Sequence, residues 1–212
     1  MTKEERASAL LQTLKNEYPL ADCTLTENDP WRLLVQVRLA AQCTDARVNL
    51  VTPALFKKYP DCFSMAEAEL SDVEELIRSC GFFNSKARDI ILCAQTLRDR
   101  FAGRVPDTME ELLTLPGVGR KSANLILGDV YRVPGSVVVD THCIRLTNRM
   151  GLAGGEKDPV KLEHILRPLL PPEESNDFCH RLVLHGRAVC RAPKPLCESC
   201  CCAPWCETKE NS

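Results

Sequence analysis

Residues 115–127 read Leu115-Pro116-Gly117-Val118-Gly119-Arg120-Lys121-Ser122-Ala123-Asn124-Leu125-Ile126-Leu127, a proline-glycine turn that opens directly into a helix-forming run. Two glycines ahead of a helix let the backbone turn tightly and aim its N–H groups outward, and such a nest accepts a phosphate. Lys121 follows the second glycine by two positions and sits beside that nest. A lysine amine is a nucleophile toward a sugar or carbonyl carbon, so the stretch offers both a dock for a nucleic-acid backbone and a group that attacks it. Read by itself, Lys121 is more readily a phosphate-contacting cation beside Arg120 than a nucleophile.

On both sides of this hairpin the chain is punctuated as helices. Residues 3–17 are amphipathic and end before Tyr18-Pro19. Asp29-Pro30 starts a second helix with Leu33, Leu34, Val37 and Ala41 on its inner side, proline being favoured in a first turn. Asp45 is placed to cap the next, which Thr52-Pro53 restarts or kinks. Ser71-Asp72-Val73-Glu74 has a capping-box pattern and opens a helix to Cys80, stopped by Gly81. A longer helix covers 84–101, and Thr108-Met109-Glu110-Glu111 opens the short one before the hairpin. Beyond it, Ser136-Val137-Val138-Val139 is a β-branched run without a partner run nearby and reads as an extended connector. Asp140-Thr141 caps a helix to Met150, Asp158-Pro159 starts another, and 173–189 form the last long one. The expected class is all-α, with no internal repeat.

The 212 residues suffice for one large domain or two small ones. No run reaches the roughly 18 apolar residues of a membrane span. The charged start Met1-Thr2-Lys3-Glu4-Glu5-Arg6 is followed by no apolar segment, so a secretory signal is not expected and a cytoplasmic, nucleoid-associated site of action is. Thirteen cysteines, an odd number, without an export signal argue against a disulfide framework and raise metal binding as the first question. Net charge is −2, yet residues 117–200 carry 12 Lys/Arg against 9 Asp/Glu while residues 1–116 carry 14 against 18. A modestly basic second half fits transient, salt-dependent docking on a polyanion.

Cys190, Cys197, Cys200 and Cys206 are spaced C-x6-C-x2-C-x5-C. Zinc modules usually show two close Cys/His pairs a dozen or more residues apart, whereas this tail has one CxxC with flanking singles. The spacing therefore favours an iron–sulfur cluster over zinc and leaves zinc as the alternative. Cys201 and Cys202 are each adjacent enough to replace Cys200. Cys23, Cys43, Cys62, Cys80, Cys93, Cys143 and Cys179 are expected to be small core residues. Arg191 and Lys194 lie on the proline-rich arc between the first two cysteines of the tail, where they present charge to phosphates or to water.

Ala41-Gln42-Cys43-Thr44-Asp45, Gly81-Phe82-Phe83-Asn84-Ser85-Lys86, the hairpin, Val139-Asp140-Thr141-His142, Leu184-His185-Gly186-Arg187 and the four-cysteine spacing occur together and in this order. In that set the chain resembles the endonuclease III family of helix-hairpin-helix DNA glycosylases over essentially its whole length. The resemblance implies two all-α domains flanking a DNA-binding cleft. Residues 22–133 would form a six-helix barrel with the helix-hairpin-helix at about 108–130, and residues 1–21 with 134–212 a cluster domain whose loop spans 190–206.

The same resemblance implies a monomeric enzyme that acts on double-stranded DNA containing damaged pyrimidines or abasic sites, and one four-iron four-sulfur cluster on Cys190, Cys197, Cys200 and Cys206. Lys121 matches the family's nucleophile, which displaces the base and forms a Schiff base with the opened sugar before β-elimination. Asp140 matches the assisting carboxylate. Gln42 would fill the space left by an extruded base and Phe82 would wedge the stack, bulkier than the leucine many bacterial members carry. Gly117, Val118, Gly119 and Arg120 would meet the phosphates. A free lysine is almost wholly protonated near neutral pH, and a helix start disfavours the cation by only about 0.3–1 kcal/mol, so desolvation must supply the rest. His142, His180 and His185 read as structural hydrogen-bonding groups.

Two other readings compete. A monofunctional mismatch or adenine glycosylase of the same superfamily would lack lysine at this position, and a non-catalytic iron–sulfur DNA-binding protein would have no use for Lys121 and Asp140 together.

Overall fold

Local capping chemistry sets most of the element boundaries. The structure, a computed structural model, describes residues 1–210, and among them every regular element is helical. In chain order the α-helices are α1 (Lys3–Glu17), α2 (Pro30–Ala40), α3 (Asp45–Lys58), α4 (Cys62–Ala66), α5 (Leu70–Ile77), α6 (Phe83–Phe101), α7 (Met109–Leu112), α8 (Arg120–Asp129), α9 (Thr141–Arg149), α10 (Pro159–Leu166), α11 (Ser175–Ala188) and α12 (Glu207–Glu210). Thr2, Asp29, Thr44, Asp61, Thr108, Asp140 and Asp158 each accept a hydrogen bond from a first-turn amide of the helix that follows. Each such cap satisfies a donor that a helix start leaves open, for about 1 kcal/mol. The run Ser136–Val139 is buried and forms no strand, as an extended connector should.

Four local expectations are corrected. Thr44 caps α3 through its hydroxyl, while Asp45 lies inside the first turn and takes a hydrogen bond from the Thr24 hydroxyl at 2.5 Å. Pro53 does not restart the helix, because α3 runs unbroken across it with Val48, Thr52, Leu55 and Phe56 buried on both sides. α5 starts at Leu70 with Glu69 as its N-cap, so Ser71-Asp72-Val73-Glu74 falls within the helix and Asp72 pairs with Lys58 at 2.5 Å instead of capping. On α2 the inward residues are Trp31, Leu33, Leu34, Val35, Gln36 and Leu39; Val37 is half-buried and Ala41 is exposed beyond the helix end.

The chain forms two compact units, Cys23–Tyr131 and a second that joins Met1–Asp22 to the chain from Arg132 onward. In the first, α6 packs on α4 and α5, and α2 packs on α3 and α8. Its core includes Leu33, Leu39, Leu55, Met65, Ile77, Ala94, Leu97, Leu112 and Ile126. Burying each larger side chain contributes roughly 1.5–3 kcal/mol, which holds the hairpin at the start of α8 against α2. In the second unit α11 packs on both α1 and α9. Leu10, Leu14, Leu146, Leu162, Phe178 and Leu182 are buried there, and the connector before α9 is tied down by Gly135, whose amide donates to Pro172 O at 2.7 Å.

Candidate active site and cysteine centre

Leu115-Pro116-Gly117-Val118 closes as a tight turn, the Val118 amide donating to Leu115 O at 3.2 Å. Proline second and a glycine at φ +76° third is the pattern of a type II turn, whose third position excludes side chains that resist a left-handed backbone. Gly119 is the N-cap of α8 and carries no side chain to satisfy the first-turn amides. That leaves the helix start open to an anionic ligand, with Gly117 and Gly119 exposed, Val118 and Arg120 half-buried and Lys121 exposed in the first turn.

Behind the turn lies a support that the sequence motifs did not announce. Arg38 of α2 donates from Nε to Asp89 of α6 at 2.9 Å and adds a second bond from its terminal nitrogen. A Cβ on Gly117 would stand 2.8 Å from Arg38 Nε and 3.0 Å from Asp89 Cβ, so the hairpin rests directly on this pair. The two residues are separated by 51 positions in the chain, and no short-range pattern joins them.

Gln42 and Phe82 also belong to the Cys23–Tyr131 unit, each just beyond the end of a helical turn. Gln42 is exposed with φ 52°, and Phe82 is 67% exposed with φ 46°. Two non-glycine residues in the left-handed region cost on the order of 1–3 kcal/mol each and persist only where surrounding contacts enforce them. Phe82 is not a core partner of Phe83, which is half-buried under the Arg78 guanidinium.

Asp140, in the other unit, is the N-cap of α9, its Oδ1 accepting from the Cys143 amide at 2.7 Å. It is half-buried at the end of the buried connector. One carboxylate thus performs a structural task while remaining accessible to solvent.

The cysteine tail wraps a cavity lined by Cys190, Cys197, Cys200 and Cys206 together with His185, Arg149, Leu196 and Cys202. All four spaced cysteines therefore address one site. The His185 ring is held between the Tyr18 hydroxyl at 3.1 Å and Cys200 Sγ at 3.3 Å. Cys200, Cys202 and His185 have ligand atoms within 4.8 Å of one another. Hydrogen bonding from Cys202, with His185 contributing less, holds the Cys200 thiol down at about 4, and the Cys202 thiol is raised correspondingly. A thiolate is the ligating form, and four cysteines bordering one cavity suit a bound metal centre. Cys202 is fully buried and borders the cavity, whereas Cys201 does not border it.

Arg149 fastens this loop, donating to Cys190 Sγ at 3.3 Å, Arg191 O at 2.8 Å and Ala192 O at 2.7 Å. Arg191 and Lys194 are exposed on the same arc. Of the remaining cysteines, Cys62, Cys80, Cys93, Cys143 and Cys179 are buried, but Cys23 and Cys43 are only partly so and are not core residues in the expected sense.

Residues 35–172 match the family described as HhH-GPD superfamily base excision DNA repair protein. This defines the class: a helical base-excision-repair enzyme of the helix-hairpin-helix kind. The endonuclease III of Synechocystis sp. is 46% identical over 211 residues, covering 100% of this chain and 96% of the relative, and that of Escherichia coli is 38% identical with 100% and 99% covered. A trapped endonuclease III–DNA covalent intermediate has the same fold at TM-score 0.93 and 36% identity, covering 100% of this chain and 99% of the other. A thermostable thymine-DNA glycosylase, at 21% identity and TM-score 0.89, shares the fold. The chain belongs to the endonuclease III family and is a base-excision-repair DNA glycosylase. No helix among the described residues is long and apolar enough to cross a membrane.

Proposed function

We propose that this enzyme removes oxidised pyrimidines from double-stranded DNA and then cleaves the strand at the abasic site. The observation that carries the reading is Lys121, solvent-exposed in the first turn of α8 beside an uncapped glycine hairpin. A phosphate held on those amides fixes the distance between the sugar and the lysine amine. Because Lys121 is exposed, the water around it must be displaced by the substrate itself.

In the proposed sequence the Lys121 Nζ–C1′ bond forms as the glycosidic bond breaks, and the base leaves with a proton. The sugar ring opens to a Schiff base, a proton is lost from C2′, and the freed electron pair expels the 3′ phosphate. Water then releases the lysine from the sugar fragment. Asp140 stabilises cationic sugar character or accepts the proton. Gln42 occupies the space of the extruded base, Phe82 wedges the stack, and Gly117, Val118, Gly119 and Arg120 hold the backbone with Arg191 and Lys194 as outlying phosphate contacts.

Cys190, Cys197, Cys200 and Cys206 would hold one four-iron four-sulfur cluster, which when bound cross-links the tail and stiffens the arc carrying Arg191 and Lys194. The protein would act as a monomer on nucleoid DNA in the cytoplasm.

Borohydride trapping on abasic duplex DNA tests the chemistry: an adduct with the wild type and none with Lys121→Gln supports it, and no adduct with the wild type refutes it. Iron with acid-labile sulfide supports the cluster, and stoichiometric zinc in a colourless protein refutes it.

A further inference from the structure

Lys86 is among the largest fully buried side chains of the described residues, 1% exposed in the first turns of α6. Its ammonium donates to Leu39 O at 2.8 Å and to Cys80 O at 2.7 Å. Those carbonyls terminate two separate elements: Leu39 is in the last turn of α2, and Cys80 ends the short 3-10 turn Arg78–Cys80 that follows α5. Gln42 lies three residues beyond the first and Phe82 two residues beyond the second. Both are exposed, and both are held in the left-handed region.

A buried cation is a costly way to fill a core position that methionine fills at similar volume. Burial does push the Lys86 amine below its ordinary range. What the ammonium supplies, and a thioether lacks, is a donor for each of two carbonyls at helical C-termini, where a cation is also favoured by the backbone dipoles. The Phe82 loop is pinned further by the Lys86 amide and the Ser85 hydroxyl, which both donate to Phe82 O, at 3.1 Å and 3.0 Å. The Gln42 loop, by contrast, reaches the Phe82 loop through the Lys86 side chain across 47 residues of sequence, with the Cys43 thiol beside Cys80 as a second contact.

We infer that Lys86 is a positioning residue that locks the Gln42 and Phe82 loops in register, so that plug and wedge enter the DNA stack together. This rests on the functional reading above only in taking those two side chains as the ones that enter DNA. Extrusion of a base needs both insertions at once, and a displacement of about 1 Å in either lowers the rate far more than the affinity. Chemistry on a sugar that is already unstacked does not need them.

The test compares two substrates. A duplex carrying 2-aminopurine beside the lesion reports base extrusion by its fluorescence rise, and a single-stranded abasic oligonucleotide reports Schiff-base trapping without extrusion. Lys86→Met, which removes both donors, is expected to slow the fluorescence rise and lower duplex kcat by about tenfold or more, with KM changed less than about threefold and a much smaller loss in single-strand trapping. Lys86→Arg, which retains donors for both carbonyls, is expected to recover most of the duplex rate. Equal losses on the two substrates, or an unchanged fluorescence rise, overturn the inference. If Lys86→Met does not fold, the duplex-to-single-strand rate ratio of Lys86→Gln against Lys86→Arg decides: a lower ratio for Gln supports the register role, equal ratios overturn it. Failure of the wild type to trap would defeat the Schiff-base reading alone, because the fluorescence rise needs no bond to form.

Discussion

Gly117→Ala probes how the hairpin is seated. At φ +76° an alanine incurs the left-handed penalty, about 1–2 kcal/mol. Its Cβ would also stand 2.8 Å from Arg38 Nε, 2.9 Å from Arg38 Cδ and 3.0 Å from Asp89 Cβ. Arginine is flexible in general, but here the guanidinium is anchored to Asp89 by two hydrogen bonds, so relief requires loosening the pair. For a half-buried two-point pair that adds about 1 kcal/mol. The sum is about 2–3 kcal/mol, or a fall in Tm of about 4–12 °C for a chain of this size. Gly135→Ala provides the control, since it too follows a proline, its φ is +78° and a Cβ there meets nothing within 4 Å. It should show the backbone penalty alone. Urea unfolding followed by circular dichroism on both variants separates the contributions, with Gly117→Ala expected to lose about 1 kcal/mol more. Equal losses would refute the packing of the hairpin on Arg38 and Asp89.

Three further outcomes are expected. Asp140→Asn keeps an oxygen for the Cys143 amide and should retain stability to within about 0.5 kcal/mol, whereas Asp140→Ala should lose about 1 kcal/mol; under the proposed mechanism both lose base removal, measured by strand cleavage on a lesion duplex. Glu174 is held below its ordinary value of 4.5 chiefly by the hydrogen bond from Lys15, with Arg181 adding to it. The unfolded chain therefore binds more protons there as acid is added, so this stability is present above the unfolded carboxyl range and is lost as pH falls through the folded one. Glu174→Gln should flatten the decline in urea midpoint between roughly pH 5 and pH 3, and an unchanged slope would count against the pairing. Cys197→Ser should lose iron and sulfide while Cys202→Ser keeps them, measured by metal and sulfide analysis; the reverse order would move the ligand from the spaced set to the buried neighbour.

Much of the helical layout was legible because the signals are short-range. A side-chain cap acts over three residues, so Asp29, Thr108, Asp140 and Asp158 mark helix starts without knowledge of the rest of the chain. The glycine hairpin is legible for the same reason. Where two local solutions compete, packing chooses: Glu69 opens α5 although Ser71 carries the better capping pattern, because Asp72 is engaged by Lys58 and Val73 and Ile77 face the core. Lys86 left a trace of its burial in its spacing, four before Ile90, seven before Cys93 and eleven before Leu97 on the apolar stripe of α6. A lysine on such a stripe is a signal worth following.

From the sequence by itself came the all-α class, the hairpin with Lys121 beside it, the cap at Asp140, and a four-cysteine tail, because each is a pattern of neighbouring residues whose physics is local. Tertiary structure alone decided that Arg38 and Asp89 carry Gly117, that His185 and Cys202 share the cysteine cavity, and that one buried ammonium ties the loop of Gln42 to that of Phe82. Those pairings join side chains carried by separate elements, and contacts of that kind exist only once those elements have packed.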